Sequence, residues 1–597
     1  MALIISFKTV FSSLCIQFLI HVLPSVAGNE NCIAPTIQAG SSTIWGSCST
    51  FRAIELGVER QVASYRGLRY AKAPTGRRRF APSELQDLNL EVDGTSGGPS
   101  CPQEPHPVYN TESGTDEDCL FLDVFVPLPQ RDKPFAVMVW IHGGGFMYGA
   151  GTVSMLSPLP LVSLGDVIVV TINYRLGALG YLTTGDEITP PNLGILDQIT
   201  ALKWIRKYIS AFGGDPDRVT LFGDSAGSAS IHIHLMSPMS FSLFHRAIMQ
   251  SGAATSSWAR SPDLATARDR ALTLGRLVGC DEVSSSAQLL QCLGQVSADE
   301  IVAQQQQVLA ETGDPADIAF LPIVDHVVIP DTPDIVGEMG SYNNVSVIIG
   351  ANADEGMMSM MHLFPQATTT PVVTRQQLRR FLSTALNMHD PVLQELIGLV
   401  YDVDEHGDLS SHTNRVYSDR TQKDVCKTGY VNDDGNLDFF DKLNDIVGDM
   451  TMFCPTAAVA DFASEAGLEV YRYHMTHRPS ESFWRPLTWT RVNHGENLLF
   501  VFGVHFLPHL NWTLTPEEVK MTSRIIQYWT NFASSGDPNQ NEDSPWLVKD
   551  LPDWPLYDPN TTALSKNLSP EMTDDPSVKH RECQFWNIIF PRLQTRH

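Results

Sequence analysis

The chain has 597 residues, of which 43% are hydrophobic and 9% aromatic, enough apolar side chains to bury a large core. This composition excludes a disordered chain and a collagen-like repeat. The 41 Lys and Arg residues against 67 Asp and Glu residues give a formal net charge of −26. Nucleic acids and anionic membranes are bound through clustered Lys and Arg, so the negative charge disfavours both as partners. We interpret the charge as a contribution to solubility.

The amino-terminal residues predict a secretory signal peptide. Lys8 precedes an apolar run that ends in small residues at positions 25–27, and we expect cleavage after Ala27. The run is short for a bilayer span, and no transmembrane segment is expected elsewhere. The polar carboxy end leaves no room for a GPI tail. A soluble, secreted, extracellular protein is therefore predicted.

The cysteine count fits an oxidising compartment. Cys15 lies in the predicted signal, which leaves nine of the ten cysteines in the mature chain. Pairing between nearest neighbours would close short loops, but sequence alone does not fix the connectivity. That pairing joins Cys32 to Cys48, Cys101 to Cys119 and Cys280 to Cys292. No C-x₂-C spacing occurs, so a structural zinc site is not expected.

Four N-glycosylation sequons agree with secretion. Their asparagines are Asn344, Asn511, Asn560 and Asn567. Pro570 directly follows the last sequon and disfavours its use.

In chain order, the first regular elements alternate between strand and helix. Residues 134–141 and 166–172 are continuous apolar, β-branched runs, typical of strands covered on both faces. Residues 197–212 place their apolar side chains on one helical face, and residues 218–222 form a third strand-like run. This alternation predicts an α/β fold with a large, mostly parallel central sheet flanked by helices.

The later part of the chain is less regular. Residues 261–311 are expected to be mostly helical. Residues 401–449 are acidic, polar and rich in turn residues. Residues 402–407 begin like a calcium loop, but Thr413 stands where such a loop needs Glu, so a solvated insertion loop is favoured.

The sharpest motif is G-x-S-x-G at residues 223–227, between the strand-like run at 218–222 and a helical segment. At such a strand-to-helix turn the backbone lifts Ser225 out for reaction, and the flanking glycines avoid clashes with neighbouring elements. The pentapeptide alone is a weak signal, but the strand and helix around it strengthen it. Asp224 lies beside this serine.

A glycine run at residues 142–146 (HGGGF) follows the first predicted strand. Beside Ser225 it is more than a flexible turn, because the backbone N–H groups of Gly144 and Gly145 can face a developing oxyanion. The N–H of Ala226 supplies a third donor.

A serine nucleophile needs a histidine to take its proton and a carboxylate to orient that histidine. His232 and His234 follow the motif too closely and are expected to face packing partners or solvent. Two later segments stand out: residues 351–356 after a strand-like run at 347–350, and residues 493–496. Each segment fits a triad member or a surface loop, and sequence order does not choose between them.

With these motifs in view, the chain closely resembles the type-B carboxylesterases and cholinesterases of the α/β-hydrolase fold. Residues 117–127 (EDCLFLDVFVP) match one family signature at every position, and residues 212–227 match the other. Further matching blocks are residues 140–146, 192–204, 243–252, 354–356 and 494–503.

The resemblance implies a role for each site residue. Ser225 is implied as nucleophile, Glu355 as triad acid and His494 as general base, with the oxyanion hole formed by Gly144, Gly145 and Ala226. It also implies three disulfides: Cys101–Cys119, Cys280–Cys292 and Cys454–Cys583. A pairing of Cys32 with Cys48 would then leave Cys426 free or intermolecular.

Comparison with the family's cation site argues against choline. Tyr109 stands where cholinesterases carry their principal tryptophan, and Met358 stands where they carry a second aromatic residue. Quaternary ammonium groups bind aromatic faces, so both replacements weaken that site. Asp224 replaces the family's usual Glu and still favours a positively charged transition state.

The implied acyl pocket is wider than that of acetyl-specific members. Ala316 and Ile318 stand where those members have phenylalanines, which leaves volume for longer acyl chains. Trp258 matches a tryptophan that lines the same pocket in the family, although core packing explains it equally well.

The sequence thus predicts a secreted serine esterase that cleaves small carboxylic esters through an acyl-enzyme, with no metal or organic cofactor. A broad carboxylesterase is preferred; the alternatives are a cholinesterase of butyryl-type acyl preference and a neuroligin-like adhesion protein. The complete triad and oxyanion set disfavours adhesion. An oligomer is possible, but not one disulfide-linked through a carboxy-terminal tail.

The site residues span Gly144 to His494, which requires one large domain instead of the several that the length suggests. The predicted organisation is a signal peptide at 1–27, an amino-terminal segment at 28–50, the α/β-hydrolase domain at 51–590 and a short tail at 591–597.

Overall fold

Thirteen strands join in one sheet in the computed structural model, which describes residues 32–106, 113–312, 318–384, 388–403, 438–485, 487–540, 548 and 550–594. The strands are β1 (Ile37–Ala39), β2 (Ser42–Ala53), β3 (Val58–Arg69), β4 (Glu91–Gly94), β5 (Phe121–Leu128), β6 (Phe135–Ile141), β7 (Ile168–Ile172), β8 (Gly214–Asp224), β9 (Arg246–Gln250), β10 (Ser346–Asn352), β11 (Val470–Met475), β12 (Leu564–Leu568) and β13 (Asp574–Pro576).

The centre of the sheet is parallel. Its order is β1-β2-β3-β5-β7-β6-β8-β9-β10-β11-β12-β13, with β4 beside β2. All pairs from β7 to β12 are parallel, whereas β1–β2, β2–β3, β3–β5, β5–β7 and β12–β13 are antiparallel. The predicted α/β fold with a mostly parallel sheet is confirmed.

The α-helices flank this sheet. They are α1 (Leu159–Gly165), α2 (Gly177–Tyr181), α3 (Leu193–Tyr208), α4 (Ala226–Met236), α5 (Leu264–Leu277), α6 (Ser286–Leu293), α7 (Ala298–Thr312), α8 (Pro333–Glu338), α9 (Met357–Leu363), α10 (Arg375–Thr384), α11 (Pro391–Val400), α12 (Phe440–Gly448), α13 (Cys454–Glu465), α14 (Asn497–Val501), α15 (Pro516–Ser535), α16 (His580–Gln584) and α17 (Phe590–Gln594). The stretch expected to be mostly helical holds α5, α6 and α7.

Strand β6 shows why its sequence is apolar without interruption. Val137, Val139 and Ile141 point into one buried apolar cluster, and Met138 and Trp140 point into the cluster on the opposite face of the sheet. Successive strand side chains alternate between faces, so a central strand covered by helices on both sides needs apolar residues at every position.

The stretch at residues 401–449, polar and rich in turn residues overall, is helical at its carboxy end. Residues 440–448 form α12, which buries Phe440, Leu443, Ile446 and Val447 in a third apolar cluster. The spacing of these four side chains follows a helical period within a stretch whose overall composition is polar. Most of the calcium-like segment and Cys426 lie outside the described residues.

One helical stretch among the described residues, Phe440–Glu465, is long and apolar enough to cross a membrane. It comprises α12, a π-helical turn and α13. Of its most apolar 18 residues, 78% are buried inside the fold. Burial of that kind is usual for a core helix.

Four disulfides tie the described chain. They join Cys32 to Cys48, Cys101 to Cys119, Cys280 to Cys292 and Cys454 to Cys583, with Cα–Cα distances of 5.5, 4.9, 5.9 and 4.8 Å. All four expected pairs are therefore present. The expected domain bounds at 50/51 and 590/591 fall within β2 and α17, and they stay predictions.

Candidate active site

Ser225 lies at a strained turn between β8 and α4. Its φ of 59° and ψ of −124° place a non-glycine residue in a region that costs about 1–3 kcal/mol. The Ser225 N–H donates to the Gln250 carbonyl of β9 at 2.9 Å. A Cβ on Gly223 or Gly227 would lie 2.6 or 2.0 Å from the Ile141 carbonyl oxygen, so both glycines let the turn approach β6.

The glycine run packs directly against this turn. Gly144 and Gly145 have φ values of 106° and 61°, and a Cβ on Gly143 would lie 3.0 Å from the Ser225 Cβ. Among the described residues, the N–H groups of Gly144, Gly145 and Ala226 have no acceptor. Three unpaired amides beside a serine can stabilise an oxyanion formed on its substrate.

His494 and Glu355 form a buried pair. His494 Nδ1 lies 2.7 Å from Glu355 Oε2, and the other oxygen, Oε1, accepts from the Asn352 N–H at 2.7 Å. Glu355 follows the carboxyl end of β10, and Asn352 Nδ2 also donates to the Asn493 carbonyl at 2.8 Å. With Nδ1 donating to Glu355, His494 keeps Nε2 as the nitrogen that can accept a proton.

Asp224 faces the other side of the same imidazole. Its Oδ2 is 3.8 Å from His494 Nε2, and Asn497 Nδ2 donates to its Oδ1 at 3.4 Å. Asn497 Oδ1 in turn accepts from Asn352 Nδ2 at 3.1 Å. Hydrogen bonds through Asn352 and Asn497 therefore link Glu355 to Asp224. Neither asparagine was singled out from the sequence, because the partners of their side chains lie more than one hundred residues away.

These groups shift one another's protonation. Burial opposes the charged imidazole, but Glu355, through its charge and hydrogen bond, and Asp224, through its charge, outweigh burial and raise the pKa of His494. Burial raises the pKa of Asp224, and the charge of Glu355 adds to that shift against the attraction of His494. The protonation of His494 and that of Asp224 are therefore linked.

The Ser225 hydroxyl has no hydrogen-bond partner among the described residues. Ser225 is 7% exposed and His494 6% exposed, so both side chains are largely buried. Such nucleophile–base bonds are commonly long without substrate and tighten in the Michaelis complex.

The expected acyl-pocket residues lie around the turn as far as the structure describes them. A Cβ on Gly145 would meet Ile318 Cδ1 at 3.1 Å, and a Cβ on Gly252 would meet Trp258 at 3.2 Å and the Ser225 carbonyl oxygen at 2.9 Å. The Trp258 indole donates to the Thr451 carbonyl at 2.9 Å. Ala316 lies outside the described residues.

On the other side of the glycine run, the Tyr148 N–H donates to the Gly144 carbonyl at 3.0 Å. The Tyr148 ring lies 4.9 Å from the His106 ring, which comes from the Cys101–Cys119 loop. Met358 lies in α9, just after Glu355. Tyr109 lies outside the described residues. The sequence patterns did not mark His106 or Tyr148.

The two histidines of α4 do not reach the site. His234 bonds to Ser240 Oγ at 2.7 Å and to Gln198 Oε1 at 2.8 Å, and His232 Nδ1 accepts from the Ala254 N–H at 3.2 Å. Burial lowers the pKa of each to about 3. Both are packing histidines, as expected.

Comparison with known proteins agrees with this geometry. The model of the carboxylesterase family matches residues 47–586. The chain belongs to the carboxylesterase family. Within it, the chain is 31% identical over 594 residues to an acetylcholinesterase of Bungarus fasciatus, covering 97% of this chain and 89% of that protein. It is also 31% identical over 577 residues to an acetylcholinesterase of Electrophorus electricus, covering 89% of this chain and 85% of that one.

Membership of the carboxylesterase family makes this chain a carboxylic ester hydrolase. The candidate site residues lie at one edge of the parallel sheet. Ser225, Glu355 and the glycine run follow β8, β10 and β6, and the carboxyl ends of parallel strands meet at one edge of the sheet.

Proposed function

We propose that Ser225, His494 and Glu355 form the catalytic triad of an esterase that acts through an acyl-enzyme. The observation that carries the proposal is the His494 imidazole, held by Glu355 at Nδ1 and left with Nε2 available beside the Ser225 turn. Glu355 fixes the tautomer and stabilises the imidazolium that forms during the reaction.

In the acylation step, Ser225 Oγ attacks the ester carbonyl carbon and gives its proton to His494 Nε2. The carbonyl oxygen becomes an oxyanion beside the N–H groups of Gly144, Gly145 and Ala226. The bond to the alcohol oxygen then breaks, the imidazolium returns its proton to that oxygen, and the alcohol leaves. The acyl group remains bonded to Ser225.

Deacylation repeats these steps with water. His494 Nε2 takes a proton from water as the water oxygen attacks the acyl carbon, and the same three amides hold the new oxyanion. Ser225 Oγ leaves with the proton from His494, which releases the carboxylic acid and restores the starting enzyme. Every proton transfer in the cycle uses His494.

For substrate class, we favour uncharged esters with acyl chains longer than acetyl. Ile318 borders the glycine run at the acyl side, and a branched aliphatic side chain leaves more room there than an aromatic ring. Tyr109 and Met358 are weaker partners for a quaternary ammonium than the tryptophan and second aromatic of cholinesterases.

A cholinesterase of butyryl-type acyl preference is the second candidate. The 31% identity to two acetylcholinesterases over most of the chain favours it. Asp224 also favours it, because a carboxyl group beside the nucleophile attracts a cationic substrate.

The nucleophile is tested by labelling. An organophosphate should modify one peptide that contains Ser225 and abolish turnover, and S225A should block labelling while remaining folded. S228A, which removes another serine hydroxyl at the start of α4, is the matched control and should still be labelled at Ser225. Modification of another residue, or none, overturns the assignment.

Substrate class is tested by comparing kcat/KM for p-nitrophenyl butyrate and butyrylthiocholine. We expect the uncharged ester to be the better substrate. A strong preference for the thiocholine ester would establish the cholinesterase alternative. Turnover of neither ester, together with tight capture of a cell-surface partner, would instead support the adhesion alternative.

We also propose that the protein acts outside the cell. The four disulfides support an oxidising compartment. The signal-like residues 1–27 and the sequons support secretion.

A further inference from the structure

Asp354 is a buried acid beside Glu355 that takes no part in the steps above. It is 0% exposed. Its Oδ1 accepts from Asn444 Nδ2 at 3.0 Å, and its Oδ2 accepts from the Val492 N–H at 3.3 Å. Arg491 Nη1 lies 3.9 Å from Oδ1. A carboxylate is buried at low cost only where donors replace its lost water, and here the donors come from two separate segments of the chain.

The contact between Asp354 and Val492 is reciprocal. The Asp354 N–H donates to the Val492 carbonyl at 3.1 Å, while the Val492 N–H donates to the Asp354 carboxylate. Asp354 directly precedes Glu355, and Val492 lies two residues before His494. This pair of hydrogen bonds therefore ties the loop that carries Glu355 to the loop that carries His494.

Helix α12 packs closely on the first of these loops. Asn444 of α12 supplies the side-chain bond to Asp354. A Cβ on Gly356 would lie 2.1 Å from the Asn444 carbonyl oxygen, and a Cβ on Gly448 would lie 2.6 Å from the Gly356 nitrogen. Contacts this close leave the loop little room to move relative to the helix, so α12 fixes the position of Asp354.

The second loop begins at Arg491 and also contacts α12. Arg491 has a φ of 53°, an angle at which a non-glycine residue stays only where its surroundings hold it. Its guanidinium donates to Asp441 and lies 5.8 Å from the centre of the Phe440 ring. The same helix therefore contacts both loops.

We propose that Asp354 is a positioning residue for the Glu355–His494 pair. By binding Asn444 and Val492 at once, its carboxylate sets the distance between the two loops that carry the pair. We call these contacts the Asp354 bridge. The proposal rests on the proposed triad, in which Glu355 Oε2 lies 2.7 Å from His494 Nδ1. A small displacement of either loop lengthens that hydrogen bond and weakens it.

The variant D354N keeps the shape of the side chain but replaces one acceptor oxygen with an N–H₂ donor. That donor would face one of the two N–H groups that the carboxylate binds, so one bond is lost and the loops separate. The charged groups that raise the pKa of His494 are Glu355, by charge and hydrogen bond, and Asp224, by charge. A longer distance between Glu355 and His494 should therefore lower the pKa of His494.

The test compares kcat, KM and the pH dependence of kcat/KM for p-nitrophenyl butyrate in wild type, D354N and N444L. D354N should lower kcat about 10- to 100-fold and leave KM within about twofold of wild type, because a misplaced base slows proton transfer without altering binding. The acid limb of its kcat/KM should move to lower pH by about 0.5–1 unit. N444L removes only the donor from α12 and should show the same changes to a smaller degree.

D269N is the matched control, since the same change falls at an exposed position of α5. Its kinetics and pH profile should follow wild type. Thermal unfolding establishes that each variant is folded at the assay temperature. If D354N keeps the wild-type kcat, or if its kcat falls while the acid limb stays fixed, the proposal is wrong. Should D354N not fold, N444L decides: an unchanged kcat and acid limb in N444L overturn the proposal.

A measurement without substrate separates the Asp354 bridge from the triad assignment. Exchange of the hydrogen on C2 of the His494 imidazole for deuterium depends on the protonation of the ring, and mass spectrometry of the His494 peptide follows it. The midpoint pH should be lower in D354N than in wild type. If it is lower but wild type does not hydrolyse esters, the triad assignment fails and the Asp354 bridge stands. If it is unchanged while wild type hydrolyses esters through Ser225, the bridge fails and the triad stands.

Discussion

Two carboxyl groups, Glu355 and Asp224, face opposite nitrogens of the His494 imidazole. Both favour the imidazolium, which in the proposed mechanism is the state reached when His494 has taken the serine proton. The same attraction raises the pKa of His494, so the neutral imidazole forms only at higher pH. Asp224 therefore raises the pKa of His494, an effect that its place beside Ser225 in the sequence does not reveal.

D224N should move the acid limb of kcat/KM to lower pH by about one unit, because an opposite charge within about 4 Å of the imidazolium is lost. The measurement is kcat/KM for p-nitrophenyl butyrate between pH 5 and 9. D217N, at an exposed aspartate, is the control and should leave the limb in place. A limb that stays fixed or moves to higher pH in D224N contradicts this account.

Helix α15 begins with a capping box that also fastens a loop. Thr515 Oγ1 accepts from the Glu518 N–H at 3.2 Å, and the Glu518 carboxylate accepts from the Thr515 N–H at 2.9 Å. Glu518 also bonds to His477 and Ser480. Burial raises the pKa of Glu518, but these hydrogen bonds outweigh it and lower that pKa to about 2.

E518Q should lower the free energy of unfolding by about 1–2 kcal/mol at pH 7. The pKa of Glu518 is about 2 in the folded state and about 4.3 in the unfolded chain. The carboxylate therefore stabilises the fold fully above the unfolded pKa, and this stabilisation is lost as pH falls toward 2. The Tm difference between wild type and E518Q should thus shrink between pH 5 and 2.

E517Q is the matched control for E518Q, since Glu517 lies in the same helical turn but is exposed. Its Tm should follow wild type throughout. A Tm difference for E518Q that stays constant from pH 7 to pH 2 would show that the carboxylate does not supply the stabilisation.

Across the entire chain, the carboxy-terminal helices are fastened to α12, the adjoining π-helical turn and α13. Cys583 of α16 bonds to Cys454 across a separation of 129 residues, and Lys579 pairs with buried Asp449. The Trp586 indole donates to Tyr401 Oη at 2.7 Å. These contacts hold the carboxy-terminal segment against the fold. That segment lies far from the site residues in the sequence.

C454S/C583S should lower the free energy of unfolding by about 5 kcal/mol, because this bond closes the longest loop among the four described disulfides. C280S/C292S removes a bond across 12 residues and should cost about 2 kcal/mol less. Denaturant titration of both double variants measures the difference. An equal or larger loss in the short-loop variant argues against loop closure as the cause.

Secretion would expose the sequons to glycosylation, and three of their asparagines are exposed: Asn344, Asn511 and Asn560. Asn567 instead lies in β12, where its amide donates to Asp575 Oδ2 at 2.9 Å and accepts from Thr476 Oγ1 at 2.6 Å. We expect mass spectrometry of the secreted protein to find glycans at the first three sites and none at Asn567. An unmodified protein contradicts passage through the secretory pathway.

The parts of the site that the sequence already contains are local. The turn around Ser225 and the glycine run each need only a few neighbouring residues and a flanking strand, so their patterns predicted both their geometry and their place in the fold. The uninterrupted apolar runs of β6 and β7 likewise predicted a parallel sheet, because burial on both faces leaves its mark at every position.

Long-range partners carry no such mark. Residues 351–356 and 493–496 were candidates on their local pattern, and only the resemblance to a family favoured Glu355 and His494. The helix at residues 440–448 was not predicted, because the residues around it are acidic and polar.

The approach of Asp224 and Asn497 to the His494 imidazole appeared only once the chain was folded. The reason is physical: a side chain's protonation and orientation depend on groups within a few ångströms, and folding brings those groups from distant parts of the chain.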